Sequence, residues 1–321
     1  MTDPAQMRAL RLHHFGAPSD VLRLEDAPIP VPGPNQVRIR VHACALNPAD
    51  RAICAGFFFG GALPRGVGLD VSGIVDAVGD GVTNAEVGDR VFGVPDFIAG
   101  HSAGAAEHAV LMAWARIPEG LGLLEASVLP MAVETGVRSL DLLGLTSGQT
   151  ILINGGGAMV GFAAVQMALM RGARVIATAG ETFAGPLRDL GAKVTPYGAG
   201  MVQRVQEIAG GPIDLALHAA LADGVLPDLI EVVGGDPQRV MSISDFDEGR
   251  LGVRTTGREP NLVPRYDALA EYADHAAQGR FALPIARTFA LEAWREALDL
   301  AFSNRARGKV VLLPGEADSA S

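Results

Sequence analysis

The chain has 321 residues, of which 49% are hydrophobic and 19% charged, and its formal net charge is −10 at pH 7. This length is enough for two ordinary domains with a sizeable core, and the composition excludes a disordered or fibrous protein. The negative charge argues against a general nucleic-acid or anionic-membrane binder, because both need a basic face. We therefore expect a small-molecule partner, with no nucleic acid and no membrane.

The cysteines and the N-terminal segment favour a cytoplasmic protein. Cys44 and Cys54 are the only cysteines, which fits a reducing compartment and is too few for a four-cysteine zinc site. A disulfide between them is a minor alternative. Residues 1–7 lack the basic-then-apolar order of a signal peptide, and no apolar run reaches the length of a membrane span.

Residues 7–124 show short, β-rich patterning with little helical periodicity. Strands are predicted at 21–24, 36–41, 71–79 and 88–93. Prolines at positions 28, 30, 32 and 34 mark a non-helical connection between the first and second of these strands. We interpret this part as a small β-barrel-like domain. Helices are then predicted at 125–129 and 134–143, ending at Gly144 and Gly148 before the next strand.

The next segment has the order strand, glycine turn, helix and strand. Apolar runs at 150–153 and 174–178 enclose a glycine cluster and a helix-length segment at 162–170, which predicts a βαβ unit. A dinucleotide's pyrophosphate must approach backbone N–H groups at a helix N-terminus, and glycine leaves room for it. Gly155, Gly157 and Gly161 give G-x-G-x-x-x-G, one residue longer than the usual fingerprint. A glycine-rich turn without a nucleotide is the alternative.

Strands and helices keep alternating after this unit, which predicts a parallel, doubly wound sheet. Helices are predicted at 186–190, 201–209, 226–233 and 265–277. Strands are predicted at 193–197, 213–218, 239–244 and 251–254. The C-terminal part is different: an extended segment at 285–291, an amphipathic helix at 292–303, a strand at 308–313 and a loose polar end. We expect this part to return to the first domain.

Five motifs, in this order and spacing, resemble the medium-chain dehydrogenase/reductase superfamily, specifically its zinc-free quinone oxidoreductase (zeta-crystallin-like) branch. The motifs are Asn47-Pro48-Ala49-Asp50 and those at residues 68–75, 87–93, 155–161 and 307–312. The resemblance covers nearly the whole chain. It implies an α/β fold with a GroES-like β-barrel catalytic domain and a Rossmann doubly wound parallel sheet. It also implies a nicotinamide cofactor and, commonly, a homodimer.

The implied domain boundaries follow from the same resemblance. Residues 1–123 would form the first part of the GroES-like catalytic domain and residues 124–264 the Rossmann dinucleotide-binding domain. Residues 265–321 would supply the last Rossmann helix and the return to the catalytic domain.

The zinc site of the family is altered in this chain. Zinc-dependent relatives supply a cysteine and a Gly-His-Glu motif, whereas the matching positions here hold Asn47 and Gly68-Leu69-Asp70. Asn and Leu cannot replace a thiolate and an imidazole, so we expect no zinc and no Lewis acid. The expected chemistry is hydride transfer from NAD(P)H to an already electrophilic acceptor, a quinone or the activated C=C of an enone. Two alternatives remain: an enoyl reductase tailoring a natural product, and a nucleotide-binding protein with little catalytic activity.

The catalytic candidates are Asn47, Asp50, Phe57 and His218. The resemblance implies that Asn47 contacts nicotinamide or substrate; a turn residue fixed by Pro48 is the alternative. Relatives often have a tyrosine near Phe57. Residues 57–59 are all phenylalanine, and they suit an apolar wall or lid over a flat hydrophobic acceptor, or simple loop packing. His218, where relatives usually have Asp, is a candidate proton donor, although a structural histidine is the favoured reading. Cys54 and Cys44 have no evident base and are weak nucleophile candidates.

The expected cofactor site departs from the family pattern at several positions. Ala158 and Met159 stand where relatives have two glycines, and Glu181 stands about where relatives place a phosphate-binding lysine. The second strand ends without the acidic residue that would select NAD, which favours NADPH; Glu181 would repel a 2′-phosphate, Arg188 could counter it, and NADH is the alternative. The expected cofactor-binding residues are Asn47, Thr135, Gly155, Gly157, Ala158, Met159, Val160, Gly161, Thr178, Ala179, Gly180, Glu181, Arg188, Tyr197, Ser242, Ile243, Ser244 and Lys309.

Overall fold

The computed structural model describes residues 5–57, 62–98, 102–244, 250–257, 259–260, 262–303 and 305–315. The strands are β1 (Gln6–Leu12), β2 (Leu22–Pro28), β3 (Val37–Ala45), β4 (Arg65–Gly66), β5 (Asp70–Val78), β6 (Arg90–Pro95), β7 (His108–Arg116), β8 (Thr150–Asn154), β9 (Arg174–Thr178), β10 (Lys193–Thr195), β11 (Leu215–His218), β12 (Val240–Ser242), β13 (Arg254–Thr255), β14 (Ile285–Ala290) and β15 (Lys309–Leu313). The helices are α1 (Pro18–Val21), α2 (Pro48–Cys54), α3 (Leu123–Ala126), α4 (Pro130–Leu143), α5 (Met159–Met170), α6 (Glu181–Asp189), α7 (Met201–Ala209), α8 (Leu226–Val232), α9 (Leu269–Ala277) and α10 (Trp294–Ala301). None of the helices in these described ranges is long and apolar enough to cross a membrane.

The chain forms two compact units. Unit 1 contains Met1–Met131 and Leu269–Ser321, and unit 2 contains Ala132–Ala268. The first division falls within α4, and α9 belongs to unit 1, where it contacts β7. These units differ from the division after residue 123, with the 265–277 helix in the nucleotide-binding domain, that the resemblance implies and that stays a prediction. Amphipathic periodicity indicates that a helix has a buried face but does not indicate which neighbour covers it.

Unit 1 is built on a sheet that closes on itself. A six-stranded sheet has the order β14-β15-β3-β5-β6-β7, and a further pairing joins β3 to β7. A three-stranded sheet, β2-β1-β4, accompanies it. The predicted GroES-like β-barrel is confirmed. Along β3 the side chains of Val37, Ile39 and Val41 are buried at alternate positions, as the period of two in its sequence predicts.

The C-terminal strand completes the sheet of unit 1. β15 pairs antiparallel with β3, with Val311 opposite Ala45 and Leu312 opposite Cys44, and parallel with β14. A strand near the C-terminus therefore joins strands from residues 37–116 in one sheet. This register brings Lys309, the first residue of β15, to the end of β3, where α2 begins.

Unit 2 contains the predicted parallel, doubly wound sheet. Its strand order is β10-β9-β8-β11-β12-β13, and every pairing in it is parallel. All five residues of β8 are buried, which is why this strand reads as a continuous apolar run. The chain moves from β8 to β9 on one side and later to β11 on the other. Ligands of such sheets bind at the carboxyl ends of the strands beside this reversal.

Several element boundaries differ from the predictions. α6 begins at Glu181 and contains Pro186 in its interior, although we had predicted that a helix would start at that proline. α4 and α5 begin earlier than expected, at Pro130 and Met159. Proline is accepted at the first helical position, and the glycines before α5 form its entry turn. Of the strand predicted at 251–254, only Arg254 lies in a strand, β13.

Candidate functional site

The glycine turn of unit 2 lies at the carboxyl end of β8. Gly155 has φ +87°, a conformation that favours glycine, and a Cβ placed on it would lie 2.6 Å from the backbone nitrogen of Ala220. Gly161, in the first turn of α5, sits against the same turn: a Cβ placed there would lie 2.1 Å from the carbonyl oxygen of Gly155. Gly155 is therefore required for the close approach of the segment after β11, and Gly161 for the close contact between the turn and α5.

The N-terminus of α5 can accept an anion. Ala158 precedes the helix, and its N–H donates to Gly155 O at 2.9 Å. The first-turn N–H groups, from Met159 to Gly161, have no acceptor within the helix, and the helix dipole is positive at this end. The side chains of Ala158 and Met159 are only half-buried. The turn thus fits a pyrophosphate even though two family glycines are replaced.

An open cavity of about 470 Å³ lies beside the N-terminus of α6. Expected cofactor residues that line it are Ala179, Gly180, Glu181, Arg188 and Tyr197. A Cβ placed on Gly180 would lie 3.8 Å from the Tyr197 hydroxyl, so the phenol stands over this glycine. The cavity carries one carboxylate and one guanidinium, both exposed. It can hold a polar group such as the ribose end of a dinucleotide.

His218 is fully buried at the end of β11. Its Nε2 lies 3.1 Å from the carbonyl oxygen of Ala222, and its Nδ1 lies 2.9 Å from Asn154 Nδ2. A carbonyl can only accept, so Nε2 carries the hydrogen and Nδ1 accepts from the amide. Both nitrogens are used in internal hydrogen bonds. The geometry favours the structural reading of His218 over the proton-donor reading.

Other expected cofactor residues of unit 2 are held by protein partners. Thr178 is fully buried and donates its hydroxyl to Asn154 Oδ1 at 2.7 Å. Thr135 donates to Glu134 Oε2 at 3.1 Å. At the end of β12, Ser242 is buried and its Oγ lies 3.4 Å from the Ser244 N–H.

Beyond β12, Ser244 contacts the segment that follows β11. Its hydroxyl donates to the carbonyl oxygen of Ala220, while the N–H of Ile243 donates to His218 O at 3.1 Å. The ends of β11 and β12 are therefore tied together beside the glycine turn.

The catalytic candidates Asn47 and Asp50 belong to a buried network in unit 1. Asn47 Nδ2 donates to Asp70 Oδ2 at 2.9 Å and to Ala45 O at 3.3 Å, while its Oδ1 accepts from Lys309 Nζ at 2.5 Å. Both amide hydrogens are thus committed, and only a lone pair on Oδ1 remains for a ligand. The nicotinamide or substrate contact implied for Asn47 would be limited to accepting a hydrogen bond.

Lys309 serves this network. Its side chain is 4% exposed, and its Nζ lies 2.7 Å from Asp70 Oδ2, whose own side chain is fully buried. Asp70 Oδ1 accepts from the N–H of Met131 at 2.7 Å. Lys309 is among the expected cofactor-binding residues, and its ammonium is engaged with Asp70 and Asn47 inside unit 1.

Asp50 is a buried carboxyl in the same network. Its Oδ2 accepts from the N–H of Asn47 and its Oδ1 from the N–H of Gly68, each at 2.7 Å. Burial raises the pKa of Asp50 to about 7, and the charge of Asp70 adds to the rise, while the two N–H bonds and Lys309 oppose it. The carboxyl is only 2% exposed, so its structural tie between the start of α2 and Gly68 is its evident role.

The positions matching the zinc ligands of relatives hold Asn47, Leu69 and Asp70. Leu69 is buried and apolar, and the carboxylate of Asp70 is already paired with the ammonium of Lys309. A metal cation at this place would meet a positive charge and one amide oxygen instead of thiolate and imidazole. In the described part of the chain, no group of three or more His, Cys, Asp or Glu residues could hold a metal ion.

Phe57 lies just after α2 and is 82% exposed. Phe58 and Phe59, the rest of the expected apolar wall, lie outside the described residues. Cys44 and Cys54 are buried free thiols. Burial raises the pKa of Cys44 well above its ordinary value and that of Cys54 to about 12. Neither is suited to act as a nucleophile.

Sequence reasoning missed the pairing of Asp70 with Lys309. One signal was available: Lys309 and Lys193 are the only lysines, and Lys309 begins an apolar strand. A lysine in a buried strand needs an acidic partner, and Asp70 begins another. The bond between Asn154 and His218 was also missed, because sequence separation hides strands that are neighbours in a parallel sheet.

Two family descriptions match the chain: "Alcohol dehydrogenase GroES-like domain" over residues 33–129 and "Zinc-binding dehydrogenase" over residues 190–312. The quinone oxidoreductase of Sus scrofa is 39% identical over 179 residues, 54% of this chain and 53% of that protein. The match therefore spans about half the length of that relative. The chloroplast envelope quinone oxidoreductase homolog of Arabidopsis thaliana is 32% identical over 230 residues, 67% of this chain and 68% of that protein.

Similarity to a solved structure extends over almost the whole chain. The structure of the quinone oxidoreductase from Coxiella burnetii has a TM-score of 0.81 at 27% identity, covering 97% of this chain and 100% of that one. The closed barrel sheet and the parallel sheet with its glycine turn agree with this likeness. The chain belongs to the medium-chain dehydrogenase/reductase superfamily, in its quinone oxidoreductase (zeta-crystallin-like) branch.

Proposed function

We propose that this protein is an NAD(P)H-dependent oxidoreductase that transfers hydride to a quinone or to the activated C=C of an enone, without zinc. The observation that carries the proposal is the turn formed by Gly155 and Gly161, which presents the N-terminus of α5 at the carboxyl edge of the parallel sheet. Several relatives named quinone oxidoreductase support the acceptor class. The substrate would be a small, hydrophobic electrophile.

The residues of unit 2 would bind and orient the cofactor. When bound, the nicotinamide supplies the hydride. The first-turn N–H groups of α5 would hold the pyrophosphate, and the cavity beside α6 would receive the adenosine ribose. Gly155 and Gly161 allow the close backbone packing that presents these N–H groups at the end of the sheet.

NADPH is our proposed cofactor, with NADH as the alternative. Arg188 and Tyr197 line the cavity beside Gly180 and can bind a 2′-phosphate through a guanidinium and a hydroxyl. Glu181 lines the same cavity and opposes an anion. The discrimination between the two cofactors therefore depends on the balance of one carboxylate and one guanidinium.

Independence from zinc is supported by the chemistry of the residues at the family's metal position. Lys309 places an ammonium against Asp70 and Asn47, which disfavours a second cation there. Without a Lewis acid, only acceptors that are already electrophilic would react. The proton that completes reduction would come from water, since both ring nitrogens of His218 are engaged.

One observation favours the second candidate, a nucleotide-binding protein with little turnover. Ala158 and Met159 replace glycines at the point where the pyrophosphate would come closest to the backbone. Side chains there could weaken cofactor binding. The same residues would then reduce catalysis without abolishing the fold.

A homodimer in the cytoplasm completes the proposal. β13 is an edge strand of the unit 2 sheet, and an unpaired edge can pair with a second copy. The free thiols of Cys44 and Cys54 suit a reducing compartment. Sedimentation velocity at several protein concentrations tests the dimer; a single monomeric species throughout would contradict it.

The test of function is a titration of the purified protein with NADPH and NADH, followed by nicotinamide fluorescence. Turnover is then measured over a panel of quinones and enones, with and without a metal chelator. We expect saturable binding, preferably of NADPH, and turnover that the chelator leaves unchanged. Binding without turnover would favour the nucleotide-binding alternative. Loss of turnover on chelation would contradict zinc independence.

A further inference from the structure

A continuous chain of hydrogen bonds crosses the carboxyl ends of β9, β8 and β11 in unit 2. The N–H of Gly155 donates to Thr178 Oγ1 at 3.0 Å, and Thr178 Oγ1 donates to Asn154 Oδ1 at 2.7 Å. Asn154 Nδ2 donates to His218 Nδ1 at 2.9 Å, and His218 Nε2 donates to Ala222 O at 3.1 Å. The chain links the glycine turn to the segment after β11.

The direction of each bond follows from the last acceptor. The carbonyl of Ala222 can only accept, so Nε2 of His218 carries the hydrogen and Nδ1 offers a lone pair. That lone pair orients the Asn154 amide with its nitrogen towards His218 and its oxygen towards Thr178. The hydroxyl of Thr178 must then donate to Asn154, which leaves its own lone pair for Gly155.

The three side chains that form this hydrogen-bond chain are shielded from water. Thr178 and His218 are fully buried, and Asn154 is 4% exposed. In such surroundings each bond is electrostatically stronger than in water, and an unpaired member is costly. A substitution at His218 should therefore weaken the hydrogen bonds of Thr178 and change the position of the glycine turn.

The hydrogen-bond chain and the segment after β11 contact Gly155 on two sides. On one side its N–H is bound by Thr178. On the other side Gly155 packs against Ala220, whose backbone nitrogen would lie 2.6 Å from a Cβ on Gly155. Ala220 precedes Ala222, the residue bound by His218. The carbonyl of Gly155 in turn contacts Gly161 of α5, so the orientation of Gly155 sets the position of the helix N-terminus.

We propose that His218 is a positioning residue for the pyrophosphate-binding turn. It acts on the N–H of Gly155 through Asn154 and Thr178, while its bond to the carbonyl of Ala222 fixes which ring nitrogen accepts from Asn154. The inference rests on the proposed function, because it assigns a dinucleotide to this turn. It gives His218 a part in cofactor affinity without contact with the cofactor.

Two substitutions at His218 distinguish the bond of its Nδ1 to Asn154 from the bond of its Nε2 to Ala222. In His218→Asn the amide oxygen can take the place of Nδ1 and still accept from Asn154. In His218→Gln the amide reaches the Nε2 end, towards Ala222, and leaves Asn154 without its acceptor. We expect His218→Gln to weaken NADPH binding roughly tenfold and His218→Asn to weaken it by less than about threefold. Equal weakening by both would overturn the proposal.

A second matched pair of substitutions interrupts the hydrogen-bond chain at Thr178 and leaves His218 intact. Thr178→Val removes the hydroxyl at nearly constant shape, whereas Thr178→Ser retains it. The expected result is roughly tenfold weaker NADPH binding for the valine variant only. If the two variants bind NADPH equally well, the hydrogen-bond chain does not position the glycine turn. This pair also decides the matter if the His218 variants do not fold.

Hydrogen exchange of the Gly155 amide gives a readout without cofactor. We expect slow exchange in the wild type and in Thr178→Ser, and faster exchange in Thr178→Val and in His218→Gln. If the wild type bound neither NADPH nor NADH but showed this exchange pattern, the proposed function would fail while the hydrogen-bond chain stood. If the wild type bound NADPH but the Gly155 amide exchanged at the same rate in all four proteins, the proposed function would stand and the positioning role of His218 would fail.

Discussion

The ammonium of Lys309 lies 2.7 Å from Asp70 Oδ2, although the two residues are 239 positions apart in the chain. Both side chains are almost completely buried. The second carboxylate oxygen of Asp70 accepts from the N–H of Met131, in the first turn of α4. This one pair therefore joins the last strand of the chain to the start of β5 and to the start of α4.

Removing the ammonium should destabilise unit 1. In Lys309→Met the carboxylate of Asp70 stays buried without its counter-charge, and breaking a buried ion pair costs about 3–5 kcal/mol. Lys193→Met is the matched control, because Lys193 is exposed and its ammonium donates to the carbonyl of Ile208. Thermal unfolding should show a large loss for the first variant and almost none for the second. The double variant Lys309→Met, Asp70→Asn should be more stable than Lys309→Met alone; similar losses at Lys193 and Lys309 would contradict this account.

Asp50 should make stability depend on pH in an unusual direction. Its pKa rises from the ordinary value of 3.8 to about 7 on folding, so the folded state binds the proton more tightly than the unfolded state. The contribution of Asp50 to stability is therefore greatest at low pH and is lost as the pH rises between about 4 and 7, by an amount of the order of a few kcal/mol.

The test compares Asp50→Asn with the wild type by urea unfolding across this pH range. The unfolding free energy of the wild type should fall relative to that of Asp50→Asn as the pH rises from about 4 to about 7, because the unfolded wild type releases its proton over this range while the folded protein keeps it, and the variant has no such proton. Asp274→Asn, at an exposed position of α9, serves as the control and should follow the wild type. A constant difference between wild type and Asp50→Asn would show that Asp50 ionises normally.

Restoring two glycines at the turn should tighten cofactor binding. In the double variant Ala158→Gly, Met159→Gly the pyrophosphate can come closer to the first-turn N–H groups of α5, and we expect NADPH affinity to rise roughly threefold or more. Met170→Gly, at the other end of the same helix, controls for lost helix propensity and should leave the affinity unchanged. Weaker binding in the double variant would mean that these side chains contact the cofactor favourably.

The choice between NADPH and NADH should respond to Glu181. Glu181→Gln removes a negative charge from the cavity that also contains Arg188, so NADPH affinity should rise several-fold while NADH affinity stays nearly constant. Asp189→Asn neutralises an exposed carboxylate at the other end of α6 and should change neither. Equal changes for both cofactors would place the 2′-phosphate elsewhere.

The two cysteines should be unreactive in the folded protein. Both are buried, and the pKa of each thiol is raised chiefly by that burial. A disulfide-exchange reagent should therefore modify neither residue until the protein is unfolded, when both react. Rapid labelling of the native protein would restore a nucleophilic or redox role. The Cys44→Ser and Cys54→Ser variants identify which thiol reacts.

Local sequence patterns were enough to predict the fold class and the turn. The buried run of β8, the glycines after it and the alternation of strands and helices reflect interactions between near neighbours in the chain. Gly155 and Gly161 are needed where backbones come too close for a Cβ, and that requirement is visible in residue type. The replacement of the family's zinc ligands at Asn47 and Leu69 is likewise visible in the sequence alone.

Only the tertiary structure decided which partners the buried polar groups have. The sequence includes Lys309 among the expected cofactor-binding residues and does not identify its partner; the pairing of β15 with β3 brings it to Asp70. His218 is a candidate proton donor by sequence, but its Nε2–H donates to the carbonyl oxygen of Ala222 and its Nδ1 accepts from Asn154 of the neighbouring strand β8. Residue type specifies which hydrogen bonds a side chain can make. Which bonds form depends on strand order and register, and these are fixed by contacts between residues far apart in the chain.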